Sequence, residues 1–509
     1  MSETAGAVAD RRRPLHAVYP FRRVQPFRPA ERVQRASIRY FAAYSYRDAP
    51  MAVDHTHHHE HDHDVGGPGY TTPQAAIEEA EREKVAYVVS LHTGTDVDAP
   101  DFLAVVDVDP ESATYREIID RIEMPTRGDE LHHFGWNACS SSCHAEGLER
   151  QYLVVPGNRS SRIHVVDTAD RENPELVKVI EPEEVFEHDL SAPHTVHCIP
   201  GGEIMISMLG NADGDLPGGF LLLDEEFEIA GRFDTPGDIG MNYDYWYQPR
   251  RNVMVSSEWA APSTYQPGFD LADVEAGKYG QRLNVWNWAD RTVEQTIDLG
   301  EEGLVPLEVR FLHSPESDHA YVGAALSSNM FHLHSEDGEW RATKVIDVEP
   351  REHEDWDMPV PGLITDLLVS MDDRYLFFTN WLHGEVRMYD VSDPSNPRPT
   401  DTISVGGLFG DVREVRGRAI NAGPQMLQLS LDGERLYWTT SLYSTWDDQF
   451  FPAEGEQGSV MLKADVDPRR GTMTLDEEFL VDFGDLPEGP ARAHEMRWPG
   501  GDCTSDVWQ

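Results

Sequence analysis

Six histidines stand out by their placement: His132 beside His133, His194 three residues before His197, then His383 and His494. Neutral imidazoles suit copper, iron or zinc, so such a set predicts a metal centre wherever the fold brings the rings to one point. Glu258, Glu308 and Asp366 are the carboxylates placed to orient those rings, complete the coordination or take a proton. Two of the histidines open related phrases. His194-Thr195-Val196-His197-Cys198-Ile199-Pro200-Gly201-Gly202 returns near the end of the chain as His494-Glu495-Met496-Arg497-Trp498-Pro499-Gly500-Gly501. A repeated strand of this kind predicts an internally repeated fold whose equivalent positions face one axis.

The elements that must position these residues follow one grammar. From about residue 80 the chain falls into seven units of roughly 50 to 65 residues, the period of a propeller blade. The clearest unit runs Leu363 to Ser370, Arg374 to Trp381, Glu385 to Val391 and Thr400 to Val405, with turns at Asp372-Asp373 and Asp393-Pro394. Alternating β-rich runs separated by such turns read as antiparallel strands. The prediction is an all-β protein, a seven-bladed β-propeller over residues 68–509. The unit beginning near Lys84 has no first strand ahead of it, and the strand carrying His494 is left over at the other end of the chain. Closing the ring with that strand supplies the missing inner strand and removes an exposed sheet edge.

In a blade the first strand lines the channel, and its head lies on the face where the second and third strands are joined. Residues at first-strand heads and in those loops therefore converge at one mouth. The heads are His132, His133, His194, His197, Glu308, Asp366, Gln425 and His494; the loops add His92, Glu258 with Trp259, and His383. His133, His194, His383 and His494 rank first as ligands. His313, five residues beyond Glu308, falls toward the opposite face. Aromatics including Tyr243, Trp259, Trp381, Tyr443 and Trp446 crowd the same loops and can wall an apolar pocket.

Composition limits the setting. The 509 residues carry a formal net charge of −49, with 91 acids. That balance disfavours nucleic acid, which needs a basic face. No stretch approaches the ~20 apolar residues of a membrane span. Acids spread along the whole chain, with five lysines against 37 arginines, are the balance of a protein kept soluble in strong salt. Four cysteines, Cys139, Cys143, Cys198 and Cys503, are too few for a disulfide framework, so a reducing, cytoplasmic location is expected. Residues 1–50 differ from the rest, with ten arginines against four acids. Met51 then reads as an alternative start, and His55 to Asp64 form a His/Asp tract able to bind metal. Residues 1–67 are therefore expected to be a disordered extension, basic and then His-rich.

Longer phrases give a resemblance. They include Asp129-Glu130-Leu131-His132-His133, His194-x2-His197-Cys198, Tyr245-Trp246-Tyr247-Gln248-Pro249-Arg250 and Glu258-Trp259-Ala260-Ala261-Pro262. Asn380-Trp381-Leu382-His383-Gly384, Gly423-Pro424-Gln425-Met426 and His494-Glu495-x3-Pro499-Gly500-Gly501-Asp502-Cys503 continue the series. In this order they resemble the selenium-binding protein family, whose members include methanethiol oxidases. The resemblance implies copper-dependent oxidation of methanethiol by O2 and water to formaldehyde, hydrogen sulfide and hydrogen peroxide. It implies His132, His133, His194, His197, His383 and His494 as ligand candidates, with a small thiol and O2 as the partners. Glu258 or Asp366 is the candidate base. A second reading is a non-catalytic selenium- or metal-binding propeller that presents a face to protein partners. One position departs from the family: where members commonly carry a cysteine proposed to bind selenium, this chain has Ser90.

Overall fold

The computed structural model describes residues 68–508, apart from 143–146, 355, 357 and 410–412. The expected extension at 1–67, with its histidine tract, lies outside the described residues. Among the described residues the strands form seven antiparallel blade sheets of four strands; in six of them the strands lie side by side in chain order, and the seventh blade carries one extra short strand. A small hairpin, Glu414–Val415 with Arg418–Ala419, stands beside them.

The first blade closes the ring. Its second, third and fourth strands are Val85–Leu91, Phe102–Asp107 and Ile118–Glu123, and its inner strand is the C-terminal Arg492–Arg497, paired antiparallel to Val85–Leu91. The other inner strands are Gly135–Trp136, Ser191–Cys198, Tyr245–Gln248, Pro306–Phe311, Ile364–Val369 and Leu427–Leu429, in blades two to seven.

Burial falls across each blade as the hydrophobic pattern dictates. The second strands Val85–Leu91, Ile204–Gly210 and Tyr375–Asn380 are buried along their whole length and read as continuous apolar runs. The outermost Thr292–Asp298 alternates exposed and half-buried residues, because one of its faces meets water. Facing blades pack through side chains such as Phe220, Tyr245 and Trp286, whose rings meet edge-on at 5.2 to 5.6 Å. Cys139, Cys198 and Cys503 are buried free thiols.

Candidate metal centre

The inner strands share an irregularity that places the chemistry. Opposite the second strand, Pro193 pairs with Met208 and Val196 with Ile206, so two residues, His194 and Thr195, face the single Ser207. The same extra residue recurs at Leu307-Glu308, at Thr365-Asp366 and at His494-Glu495. These are β-bulges, and a bulge turns two neighbouring side chains off the strict alternation of a strand. It also explains how His194 and His197, three apart in sequence, come to lie along one strand of the channel, where an unbroken strand would send them to opposite faces.

The first bulge position looks toward the mouth. His494, His194, Leu307 and Thr365 occupy it, with His132 and Tyr243 just ahead of the inner strands of blades two and four. The second position points around the axis and forms a belt. Glu495 accepts a bond from the Phe134 amide at 2.7 Å, Asp244 from the Val309 amide at 2.7 Å and Asp366 from the Leu427 amide at 2.6 Å. Arg310 crosses this belt, donating to Glu308 at 2.6 Å and to Asp244 at 2.8 Å; Arg497 donates to Glu495 at 2.7 Å. Burial of three carboxylates around one guanidinium leaves more negative charge than Arg310 offsets. Burial, with Asp244 and Asp366 nearby, therefore holds the Glu308 carboxyl well above its usual range, and burial raises Asp366 to about 7.

Four histidines gather beside the belt. The ring of His132 stacks on that of His494 at 3.8 Å, and His194 lies 4.1 Å from His133 and 5.0 Å from His132. Ligand atoms of His132, His133 and His494 all fall within 4.8 Å of one another. All four rings are buried, and burial pushes the four pKa values down, that of His494 to about 4, so the rings are neutral near pH 7.

In three of the rings Nδ1 is engaged. His494 Nδ1 lies 2.8 Å from the Ser441 carbonyl, and His133 Nδ1 lies 3.3 Å from Glu495 Oε1. His194 Nδ1 lies 3.1 Å from Thr195 Oγ1, which itself donates to Asp244. The Nε2 atoms of His133, His194 and His494 are buried without any hydrogen-bond partner. An acceptor at Nδ1 fixes the tautomer that leaves a lone pair on Nε2, the arrangement of a metal-binding imidazole. The donor set therefore fits a late first-row metal ion.

Over His132 opens a cavity of about 20 Å³ lined by Tyr243, Trp259, Leu307, Leu363, Leu442, Tyr443 and Trp446. It is almost wholly apolar and accommodates only a small guest. The hydroxyl of Tyr243 lies beside Glu308, and burial raises its pKa well above the usual tyrosine range. Glu308 Oε1 faces His133 Nε2 at 3.6 Å, and neither atom has a hydrogen-bond partner.

The remaining candidates lie elsewhere. His197 sits deeper in the channel against Tyr245 and Trp246, with ring centroids 5.3 and 4.9 Å away. His383 does not join the four. Its Nε2 lies 3.0 Å from the Val360 carbonyl and its ring meets Phe409 edge-on, because the turn at Gly384 packs tightly on Gly406 and carries the side chain away from the axis. Glu258 is also outside: Ser257 donates inward to Leu307, so strand alternation turns the next residue toward Arg282 and Asn284. Sequence reasoning singled out Tyr243 as a wall of the pocket, which it is, and missed Asp244, Arg310, Glu495 and Arg497. The repeated phrases Glu308-x-Arg310 and Glu495-x-Arg497 were the available signal.

The model of the 56 kDa selenium-binding protein family (SBP56) matches residues 64–509. The chain belongs to the 56 kDa selenium-binding protein family. Selenium-binding protein 2 of Arabidopsis thaliana is 50% identical over 466 residues, covering 87% of this chain and 95% of the relative. A Homo sapiens protein named methanethiol oxidase is 49% identical over 465 residues, covering 87% of this chain and 98% of its own. The X-ray structure of a hypothetical selenium-binding protein from Sulfolobus tokodaii superposes with a TM-score of 0.82 at 41% identity, over 86% of this chain and 98% of that one.

Ser90 is buried and donates its hydroxyl to the Val88 carbonyl at 3.1 Å. An alcohol there offers no sulfur to bond selenium. No described helix is long and apolar enough to cross a membrane.

Proposed function

We propose that the chain is a methanethiol oxidase whose centre is the cluster of His132, His133, His194 and His494, loaded with copper. The observation that carries this reading is that ligand atoms of the buried His132, His133 and His494 lie within 4.8 Å of one another, with the His194 ring against His133, beneath a small apolar cavity. Relatives named methanethiol oxidase cover nearly all of the propeller at about half identity, which supports the same activity here. The balanced reaction is CH3SH + O2 + H2O giving HCHO, H2S and H2O2.

Copper held by these imidazoles would supply a soft centre for a thiolate and a path for electrons to O2. The protein's own groups do the rest. Leu442, Leu363 and Trp446 surround the methyl group and keep bulk water out of the cavity. The carboxyl of Glu308, held above its usual pKa, and the adjacent Tyr243 hydroxyl form a proton store within reach of His133. Arg310 and the belt amides keep Glu308 and Asp366 in place. Glu308 is accordingly the favoured proton-transfer group and Asp366 its neighbour, while Glu258 and His383 act only through the packing of their own loops.

The test is an oxygen electrode with methanethiol and the copper-loaded protein. Oxygen uptake with one hydrogen sulfide released per O2 supports the oxidase; no uptake from protein that has retained its copper rejects it.

A further inference from the structure

A second group of imidazoles lies on the fifth blade, on its second and third strands, at the end away from the bulge of the inner strand. His319 opens the strand His319–Ala324, and His332 and His334 lie two apart on the neighbouring strand Asn329–Glu336. His319 is directly opposite His334 in the register, and His332 is the next residue on that face, opposite Tyr321. Period-two alternation therefore puts all three side chains on one face of the sheet. We propose that His319, His332 and His334 form a separate binding site for a borderline divalent cation, Zn2+ in the first instance, on the two middle strands of this blade.

The three rings pack together, and the state of their nitrogens is what points to a cation. His319 Nδ1 and His332 Nε2 face each other at 2.9 Å, a contact between two ring nitrogens that share a single proton when both rings are neutral. His332 and His334 stack at 5.2 Å with their planes 10° apart, and His319 and His334 lie 6.5 Å apart. His334 Nδ1 is buried with no hydrogen-bond partner. A cation entering between His319 and His332 takes both facing nitrogens and widens that contact, while the proton they shared moves to the other nitrogen of the ring that held it, so that both rings stay neutral. A rotation of the half-buried His334 brings the third nitrogen to the bond length of about 2.0–2.1 Å that zinc requires.

The surroundings favour a cation. Asp318 Oδ1 is 3.7 Å from His319 Nε2, and Asp393 of the next blade adds negative charge toward His319 and His332. Arg251 is the nearby positive group, and it is already paired with Asp318 at 3.3 Å. His332 is buried, whereas the His319 side chain keeps 35% of its surface exposed, so the site opens to solvent on one side and leaves a fourth position for water or Asp318.

Two measurements on the full chain test the site. In Zn2+ titrations H319A/H334A is expected to bind one ion fewer per chain than the wild type, with the N-terminal histidine tract and the channel histidines present in both. In crystals of the wild type soaked with Zn2+, anomalous density is expected bonded to nitrogens of His319, His332 and His334. Equal stoichiometry in the two proteins overturns the proposal. So does a map with no density at the three histidines, a result that stands even if the double variant fails to fold.

Discussion

Glu495→Gln isolates the link between the carboxylate belt and the histidines. Glu495 uses Oε2 for the Phe134 amide and Oε1 for Arg497, both at 2.7 Å, and the same Oε1 lies 3.3 Å from His133 Nδ1. A glutamine has one carbonyl oxygen for these donors. Whichever way it turns, its NH2 meets either the Phe134 amide or the guanidinium and His133. If the NH2 faces His133, the ring takes the other tautomer, and its Nε2 carries the proton where the metal would bind. Loss of such a partner typically lowers metal affinity ~10–100-fold, about 1.4–2.7 kcal/mol. The fold suffers separately. Arg497 keeps the Phe134 carbonyl and Thr504, with Asp502 at 3.8 Å, so the loss is one charge-assisted bond, about 1.5–3 kcal/mol. Copper competition against a chromophoric chelator reads the first quantity, and urea unfolding of the metal-free protein reads the second. Copper affinity within twofold of wild type, in a variant whose unfolding midpoint has moved as expected, refutes the role given to Glu495.

Other consequences follow from the same structure. Arg310→Met leaves Glu308, Asp244 and Asp366 buried without their shared cation and is expected to cost about 3–5 kcal/mol in urea unfolding. Leu442→Ala enlarges the cavity by about three methylene-sized groups, and the ratio of kcat/KM for ethanethiol to that for methanethiol is expected to rise about fourfold, the equivalent of ~0.8 kcal/mol per added CH2; an unchanged ratio removes the cavity from the account. Glu454, buried beside Asp447, has its carboxyl raised to about 8. The folded state therefore holds a proton that the unfolded state releases between about pH 4.5 and 8, and stability falls as pH rises through that window by up to ~1.4 kcal/mol per unit. Glu454→Gln should flatten that part of the unfolding profile relative to wild type. With a formal net charge of −49, the chain is expected to gain thermal stability as salt rises from 0.1 M toward 2 M, because screening relieves surface repulsion.

The propeller was legible because each blade writes its strands as separate alternating runs bounded by turns, and the ring closure because one inner strand was missing at the start and one left over at the end. His132, His133, His194 and His494 were legible for the same reason, as heads of inner strands. The bulges were not. An extra residue in one strand leaves no mark in its own sequence and exists only in register against its neighbour, as Thr195 and Glu495 do. Asp244 and Glu495 therefore read as ordinary polar strand residues, although each is buried and bonded to the next blade's backbone. His383 and Glu258 were placed at the mouth by loop position, while local turn packing and strand alternation decide where such side chains point.

The central claim is that the four channel histidines hold the metal on which thiol oxidation depends. Copper content per chain, measured together with methanethiol-dependent oxygen uptake in wild type and in H194A/H494A, tests it most directly. The account predicts about one copper in the wild-type channel, loss of that ion in the variant and loss of oxygen uptake with it. A folded H194A/H494A protein that keeps its copper and oxidises methanethiol at the wild-type rate would contradict it.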